Sequence, residues 1–299
     1  FQQQAVPVTF GYKAAVWLDE ALRHRARLPA LRDRVLVGQF GGAVGTLATL
    51  SDDGLAVRAA MMQALGLGEA AITWHTARDR WAELVHWLAM VGATLGKIAT
   101  EITLLMRSEV GELREPFMKG RGGSSTMPQK RNPVASPQII ALARRLRDLP
   151  GGQLDAMVQE HERGAGAMPI EWAVLPEAFL LLSGALAHAL PVLQGLEVDA
   201  TRMRANLDAD GGLAMSEAVM MGLAPHIGRG AAHAVVTAAA QHAVKQGVSL
   251  RAALLEVPQV TAHLNSEALD HLLDPGNYTG SAGAMVDAVL KLARAEGLA

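Results

Sequence analysis

The sequence predicts an all-α protein, a bundle of long packed helices followed by a smaller helical domain. Three observations carry that expectation. Trp81 to Arg107, "WAELVHWLAMVGATLGKIATEITLLMR", contains no proline, and its apolar residues run most of the way round a helix, the mark of a helix enclosed by others. Four more segments have helical character: Tyr12–Phe40, Val134–Leu149, Pro176–Gln194 and Arg229–Gln246. Alternating apolar and polar runs between turn pairs, which would signal half-buried strands, are scarce.

In chain order, the Tyr12–Phe40 segment comes first. The Trp81–Arg107 helix would span roughly 40 Å. Within it Lys97 and Glu101 stand one turn apart and read as an ordinary surface pair. The most apolar stretch, "AVLPEAFLLLSGALAHALPVL", is interrupted by Pro176, Glu177, His188 and Pro191, which argues against a membrane span. At Asn206–Gly212, "NLDADGG" breaks the helical run. We therefore expect residues 1–206 to form a central bundle domain and 207–299 a C-terminal helical domain. The pairs Met61–Met62 and Met220–Met221 read as core filler.

Composition narrows the chemistry. The 299 residues suffice for one large domain or two smaller ones. Half are hydrophobic but only 4% aromatic, so Ala, Leu and Val do most of the filling. A formal net charge of −2 provides no basic footprint, and no nucleic-acid partner is expected. Without cysteine the chain has no disulfide, cysteine nucleophile or thiolate metal site, and its composition permits a reducing cytoplasm. "GQFGGAVG" at 38–45 does not fit G-x-G-x-x-G, and "KGRGGSST" lacks the lysine ending of a phosphate-binding loop. "HERGA" places Ala165 where a zinc-binding H-E-x-x-H needs its second histidine. No metal and no cofactor are expected.

One loop remains to be explained: "GRGGSSTMPQKRNP", Gly120 to Pro133. Its glycines permit backbone conformations that other residues avoid. Ser124 and Ser125 come directly after them, and Pro128 and Pro133 stiffen the rest of the loop. Lys130, Arg131 and Asn132 are donors of the kind that hold carboxylates and stabilise developing negative charge. The helix after Pro133 is expected to favour an anion at its N-terminus. These groups suit proton transfer at a carbon beside a carboxylate, with Lys119–Met127 acting as a lid that closes over substrate. A polar surface turn is the alternative reading.

"GSSTMPQKRNP", Gly123–Pro133, resembles the signature loop of the fumarase/aspartase superfamily, G-S-S-x-M-P-x-K-x-N-P, at every fixed position. The resemblance implies a central bundle of long helices and a homotetramer whose active sites are shared between subunits. It also implies that Ser124 is the catalytic base in the elimination direction and the proton donor in the reverse, that Lys130 and Asn132 bind the substrate carboxylate, and that Ser125, Thr126 and Met127 lie against substrate. The opening "FQQQAVPVTFG" is similar to the family's second region, with Gln3 and Thr9 in the part that contributes to the substrate pocket. Phe1, however, stands where adenylosuccinate and argininosuccinate lyases carry a general-acid histidine.

That departure fits the cycloisomerase branch acting on 3-carboxy-cis,cis-muconate, which the chain resembles over its visible length in "FGYKAAVWL", "LVGQFGGAVGTLA", "WHTARDRWAE", "QEHERG", "IEW" and "LLDPGNYTG". The branch implies a cytoplasmic enzyme of protocatechuate breakdown, with no membrane partner. A tricarboxylate needs several cations: Lys130 first, then Arg163, with Lys13, Arg78 and Arg131 behind. His75 and His161 are further candidates to line the site, and Glu171 and Trp172 read as support for the bundle. Family members carry a long segment ahead of the second region, with another part of the active site, and that segment is expected to be missing here. The alternatives are an adenylosuccinate lyase-like elimination and a catalytically silent structural homologue.

Overall fold

The computed structural model describes residues 3–117, 122–123 and 126–298. The chain divides into two compact units. One comprises Glu20–Ser108 and Leu113–Glu197; the other comprises Phe1–Asp19, Glu109–Glu112 and Val198–Ala299. Helices dominate both, and the sheet among the described residues is a single two-stranded ladder.

The first unit holds most of α1 (Phe10–Val35) and all of α2 (Gly54–Leu65), α3 (Asp79–Leu105), α4 (Ala135–Asp155) and α5 (Met168–Gln194). Its centre is α4, packed against α3 on one side and α5 on the other. Glycine permits the close α3–α4 approach. A Cβ on Gly92 would stand 2.6 Å from Leu146 Cδ2, and one on Gly96 would stand 2.9 Å from the Ala143 methyl. Val85, Leu88, Leu146, Leu149, Ala178 and Leu182 form the core nearer one end, joined by Leu31 and Val35 of α1. Ala99, Ile139, Ala185 and Ala189 form it nearer the other.

Several boundaries differ from expectation. Helix α5 begins at Met168 rather than Pro176, with Pro169 in the first turn, where the absent N–H costs nothing. Pro176 sits inside the helix at an exposed position, as does Trp172, whose carbonyl it leaves without its usual amide partner. Helix α4 likewise continues past Pro150 to Asp155. Lys97 is paired with Glu20 of α1, across helices. Of the methionine pairs, Met62 and Met220 pack inward, whereas Met61 and Met221 are exposed.

Helix α5 buries Val174, Ala178, Leu182, Ala185, Ala189 and Val192, spaced three or four apart along one stripe. Its other faces are also apolar but open: Trp172 is 67% exposed and Leu180 73%, with Phe179, Leu186 and Leu190 beside them. By length and composition α3 and α5 are both apolar enough to cross a membrane.

The second unit contains α6 (Ala200–Asp208), α7 (Ser216–Ile227), α8 (Arg229–Gln246), α9 (Leu250–Leu255), α10 (Pro258–Thr261), α11 (Ser266–Leu273) and α12 (Ala282–Ala295). Its core gathers Val219, Leu223, Val236, Leu250, Leu254, Val260 and Leu269. The break after α6 is a turn through Gly211 and Gly212 at φ 68° and 88°, a backbone that favours glycine. Asp210 holds it by accepting from the amides of Gly212 and Ala214 at 2.9 and 2.7 Å.

Candidate active site

The signature loop returns on itself. The Asn132 amide donates to the Gly122 carbonyl at 2.8 Å, and Gly123 pairs with Arg131 in an antiparallel bridge. Gly122 has φ 78°, a backbone that strains any side chain, and a Cβ there would crowd the Asn132 carbonyl oxygen at 3.1 Å. A turn from Met127 to Lys130 is closed by the Lys130 amide on the Met127 carbonyl at 3.0 Å. Ser124 and Ser125 lie outside the described residues, as do Phe1 and most of the expected lid.

The segment after the loop is held firmly. Glu115 is 8% exposed, and its carboxylate accepts from the backbone amides of Val134, Ala135 and Ser136 at 2.9, 3.1 and 2.8 Å. Burial alone would raise this carboxyl; the hydrogen bonds it accepts at Ser136, Ala135 and Val134 outweigh that and hold it below the ordinary glutamate value. The α4 N-terminus, expected to favour a substrate anion, is therefore already filled by a side chain of the protein. Arg131 is committed as well: its guanidinium donates twice to Glu197, each at 2.8 Å, and once to the Glu115 carbonyl at 2.7 Å.

Around this stem lies a cavity of about 430 Å³. Lys130, Asn132, Gly122 and Gly123 line it from the loop, Glu115 and Phe117 from the preceding segment, Gln138 from α4, and His188 and Pro191 from α5. Among the described residues no carboxylate pairs with Lys130, in contrast to Arg131. Glu115, Gln138 and His188 were not singled out as site residues from sequence. The run "ELREPF" just ahead of the glycine loop was the available hint for Glu115.

The other candidates sit elsewhere. Arg163 donates to the Gly42 carbonyl at 2.8 Å and lies 3.3 Å from His75 Nε2. An arginine can only donate, so that nitrogen accepts and the ring proton belongs on Nδ1. Burial, and then the Arg163 and Arg78 charges, push the His75 pKa down and keep the ring neutral. Arg78 donates to the His75 carbonyl at 3.3 Å, stacks 5.1 Å from the Trp74 ring centre, and is bonded through two nitrogens to the buried Glu171. Gln153 reaches the same carboxylate at 3.3 Å.

These residues start α3, end α4 and start α5, whereas the loop cavity lies where α3 ends, α4 starts and α5 ends. A 27-residue helix separates the two, roughly 40 Å. One chain thus brings Lys130 and Asn132 together, and brings His75, Arg78 and Arg163 together, but does not join the two groups. In the second unit the Thr9 hydroxyl accepts from the Tyr12 amide at 3.1 Å and caps α1, and Gln3 is exposed. Thr126 and Met127 are exposed beside the loop turn, Trp172 is exposed on α5, and His161 is exposed with a left-handed backbone, φ 51°. Among the described residues no three His, Asp or Glu side chains converge as metal ligands.

A helical bundle carrying this loop defines a lyase-type protein, and comparison with known families agrees. Residues 1–147 match the family described as "Lyase", and residues 212–289 match "Adenylosuccinate lyase C-terminus". The chain belongs to the fumarase/aspartase superfamily of lyases. Among its relatives is the 3-carboxy-cis,cis-muconate cycloisomerase of Acinetobacter baylyi, 46% identical over 98% of this chain and 65% of the relative. The enzyme of the same name from Pseudomonas aeruginosa is 50% identical over 96% of this chain and 63% of its own length. The crystal structure of the 3-carboxy-cis,cis-muconate lactonizing enzyme from Pseudomonas putida superposes with a TM-score of 0.91 at 45% identity. That match covers 97% of this chain and 64% of that one. The chain thus spans a little under two thirds of the length of these relatives.

Proposed function

We propose that the protein is a cycloisomerase that closes 3-carboxy-cis,cis-muconate to a carboxymuconolactone in protocatechuate catabolism. The observation that carries this is that Lys130, with which no carboxylate pairs among the described residues, shares one cavity with Asn132, in the same signature loop as Ser124. In the reaction a carboxylate oxygen of the substrate adds to the conjugated double bond, forming the ring C–O bond. The displaced electron pair moves to the carbon α to another carboxylate, giving an enediolate that Lys130 and Asn132 stabilise. Ser124 then donates a proton to that carbon, and solvent restores the serine. Nothing leaves, and the attacking carboxylate is already an anion. The acid that Phe1 cannot supply is not needed, and ring closure benefits from being intramolecular.

The full site combines several subunits in this reading. Lys130 and Asn132 come from one copy, and Arg163, His75 and Arg78 approach from the far end of another copy's bundle. The separation of the two groups within one chain supports that arrangement, as does the uncovered apolar face of α5, which suits burial against further copies in a homotetramer. Arg78 contributes there through His75 and Glu171 rather than by direct contact. We further propose a cytoplasmic location, no membrane or nucleic-acid partner, no cofactor, and a domain division at 206/207. The C-terminal family match, which begins at residue 212, supports that division.

Turnover in D2O tests the chemistry. Cycloisomerisation places one deuteron on the carbon α to a carboxylate and releases no fragment. Release of fumarate from a succinylated substrate would favour the elimination reading instead.

A further inference from the structure

We propose that Glu115 is a positioning residue for the loop chemistry, acting through Lys130 and Asn132; this rests on the functional reading above. The segment that carries the two donors is gripped from both faces of one residue. The Glu115 side chain accepts three successive amides, Val134 to Ser136, and its backbone carbonyl accepts from the Arg131 guanidinium. Glu197 takes the rest of that guanidinium, and the Asn132 amide is tied to Gly122. Lys130 and Asn132 stand immediately before and within the clamped stretch.

Glutamate suits this place better than its isosteres. Two carboxylate oxygens can accept three amides, whereas a glutamine offers one acceptor oxygen and turns an N–H2 toward amides that also donate. Its charge occupies the positive end of α4. The substrate carboxylate is thereby left to Lys130 and Asn132, rather than drawn past them to the helix end. Glu115 also lines the cavity, so a fixed anion bounds the space in which the polycarboxylate must be oriented.

The experiment compares wild type, Glu115→Gln, Lys130→Met and the double variant in the full-length protein. Amide exchange at Val134–Ser136 is expected to quicken at least about tenfold in Glu115→Gln, with the Ile139–Leu149 amides unchanged. Its kcat/KM on the muconate is expected to fall at least about tenfold, yet by less than about threefold when Lys130 is already methionine, because residues that act through one another do not add. A purely structural role would lower the amount of active protein equally in both backgrounds. Additive losses, or Glu115→Gln within about twofold of wild type, would overturn the proposal. If wild type does not turn over the muconate, the functional reading fails by itself. The exchange comparison and the affinity for tricarballylate then decide the positioning: unchanged values in Glu115→Gln overturn it. If Glu115→Gln does not fold, Glu115→Asp, which keeps the charge but shortens the reach, takes its place in every comparison.

Discussion

Arg78 and Glu171 join the start of α3 to the start of α5 through a two-pronged salt bridge, with both side chains almost wholly buried. The guanidinium Nε lies 2.9 Å from one carboxylate oxygen, and Gln153 of α4 approaches that same oxygen, so a single carboxylate ties three helices at one end of the bundle. Arg78 carries in addition the carbonyl of His75, and His75 faces Arg163. A cation proposed from sequence as a substrate ligand is thus spent on holding its neighbours in place.

Breaking that pair should be costly. Glu171→Ala leaves a buried guanidinium without its anion, and we expect a loss of about 3–5 kcal/mol in unfolding free energy. Urea titration followed by circular dichroism checks this. A loss under about 1 kcal/mol would mean that the pair behaves like an exposed one.

Close helix packing supplies the next expectation. Alanine is favoured over glycine inside a helix by about 1 kcal/mol, yet Gly96→Ala should destabilise by about 1–3 kcal/mol because its methyl would meet that of Ala143 at 2.9 Å. The alanine methyl is Cβ itself and has no rotamer with which to yield, so the helices must part. Gly96→Ala combined with Ala143→Gly should recover most of the loss, and a stabilised single variant would contradict this packing.

Ser124→Ala should lower turnover at least about a hundredfold, the scale of lost general acid–base catalysis, with little change in thermal midpoint. Initial rates on the purified full protein measure it. Near-normal turnover would remove Ser124 from the mechanism.

Acid should loosen the first turn of α4. The Glu115 carboxyl titrates below its ordinary value of 4.5 when folded, so its contribution is complete above that pH and is lost as pH falls through the folded value. Amide exchange at Val134–Ser136, corrected for intrinsic pH dependence, should therefore quicken below about pH 4.5 in wild type. The same acid-dependent step should be absent in Glu115→Gln.

Local pattern reached far in this chain. The Arg229–Gln246 helix is found as read, and the long helix read as Trp81–Arg107 runs from Asp79 to Leu105. Periodicity and the absence of proline are local signals, and they survive packing. The prolines misled where tertiary context overrode them, at Pro176 and Pro150. Pairings between distant positions were hidden. Lys97 finds Glu20, 77 residues away, and Glu115 finds amides 19 to 21 residues on, through a fold that no spacing rule encodes. The same limit applied to the site. The loop motif was plain, whereas the cavity walls on α4 and α5, Gln138 and His188, come from elements whose own sequences look like bundle filler.

The most direct test is the ultraviolet absorbance of 3-carboxy-cis,cis-muconate incubated with the purified full-length protein, with adenylosuccinate run in parallel. Loss of the conjugated-diene band, with adenylosuccinate untouched, is the predicted result. An unchanged diene band together with cleavage of adenylosuccinate would contradict the cycloisomerase reading and the role assigned to Phe1.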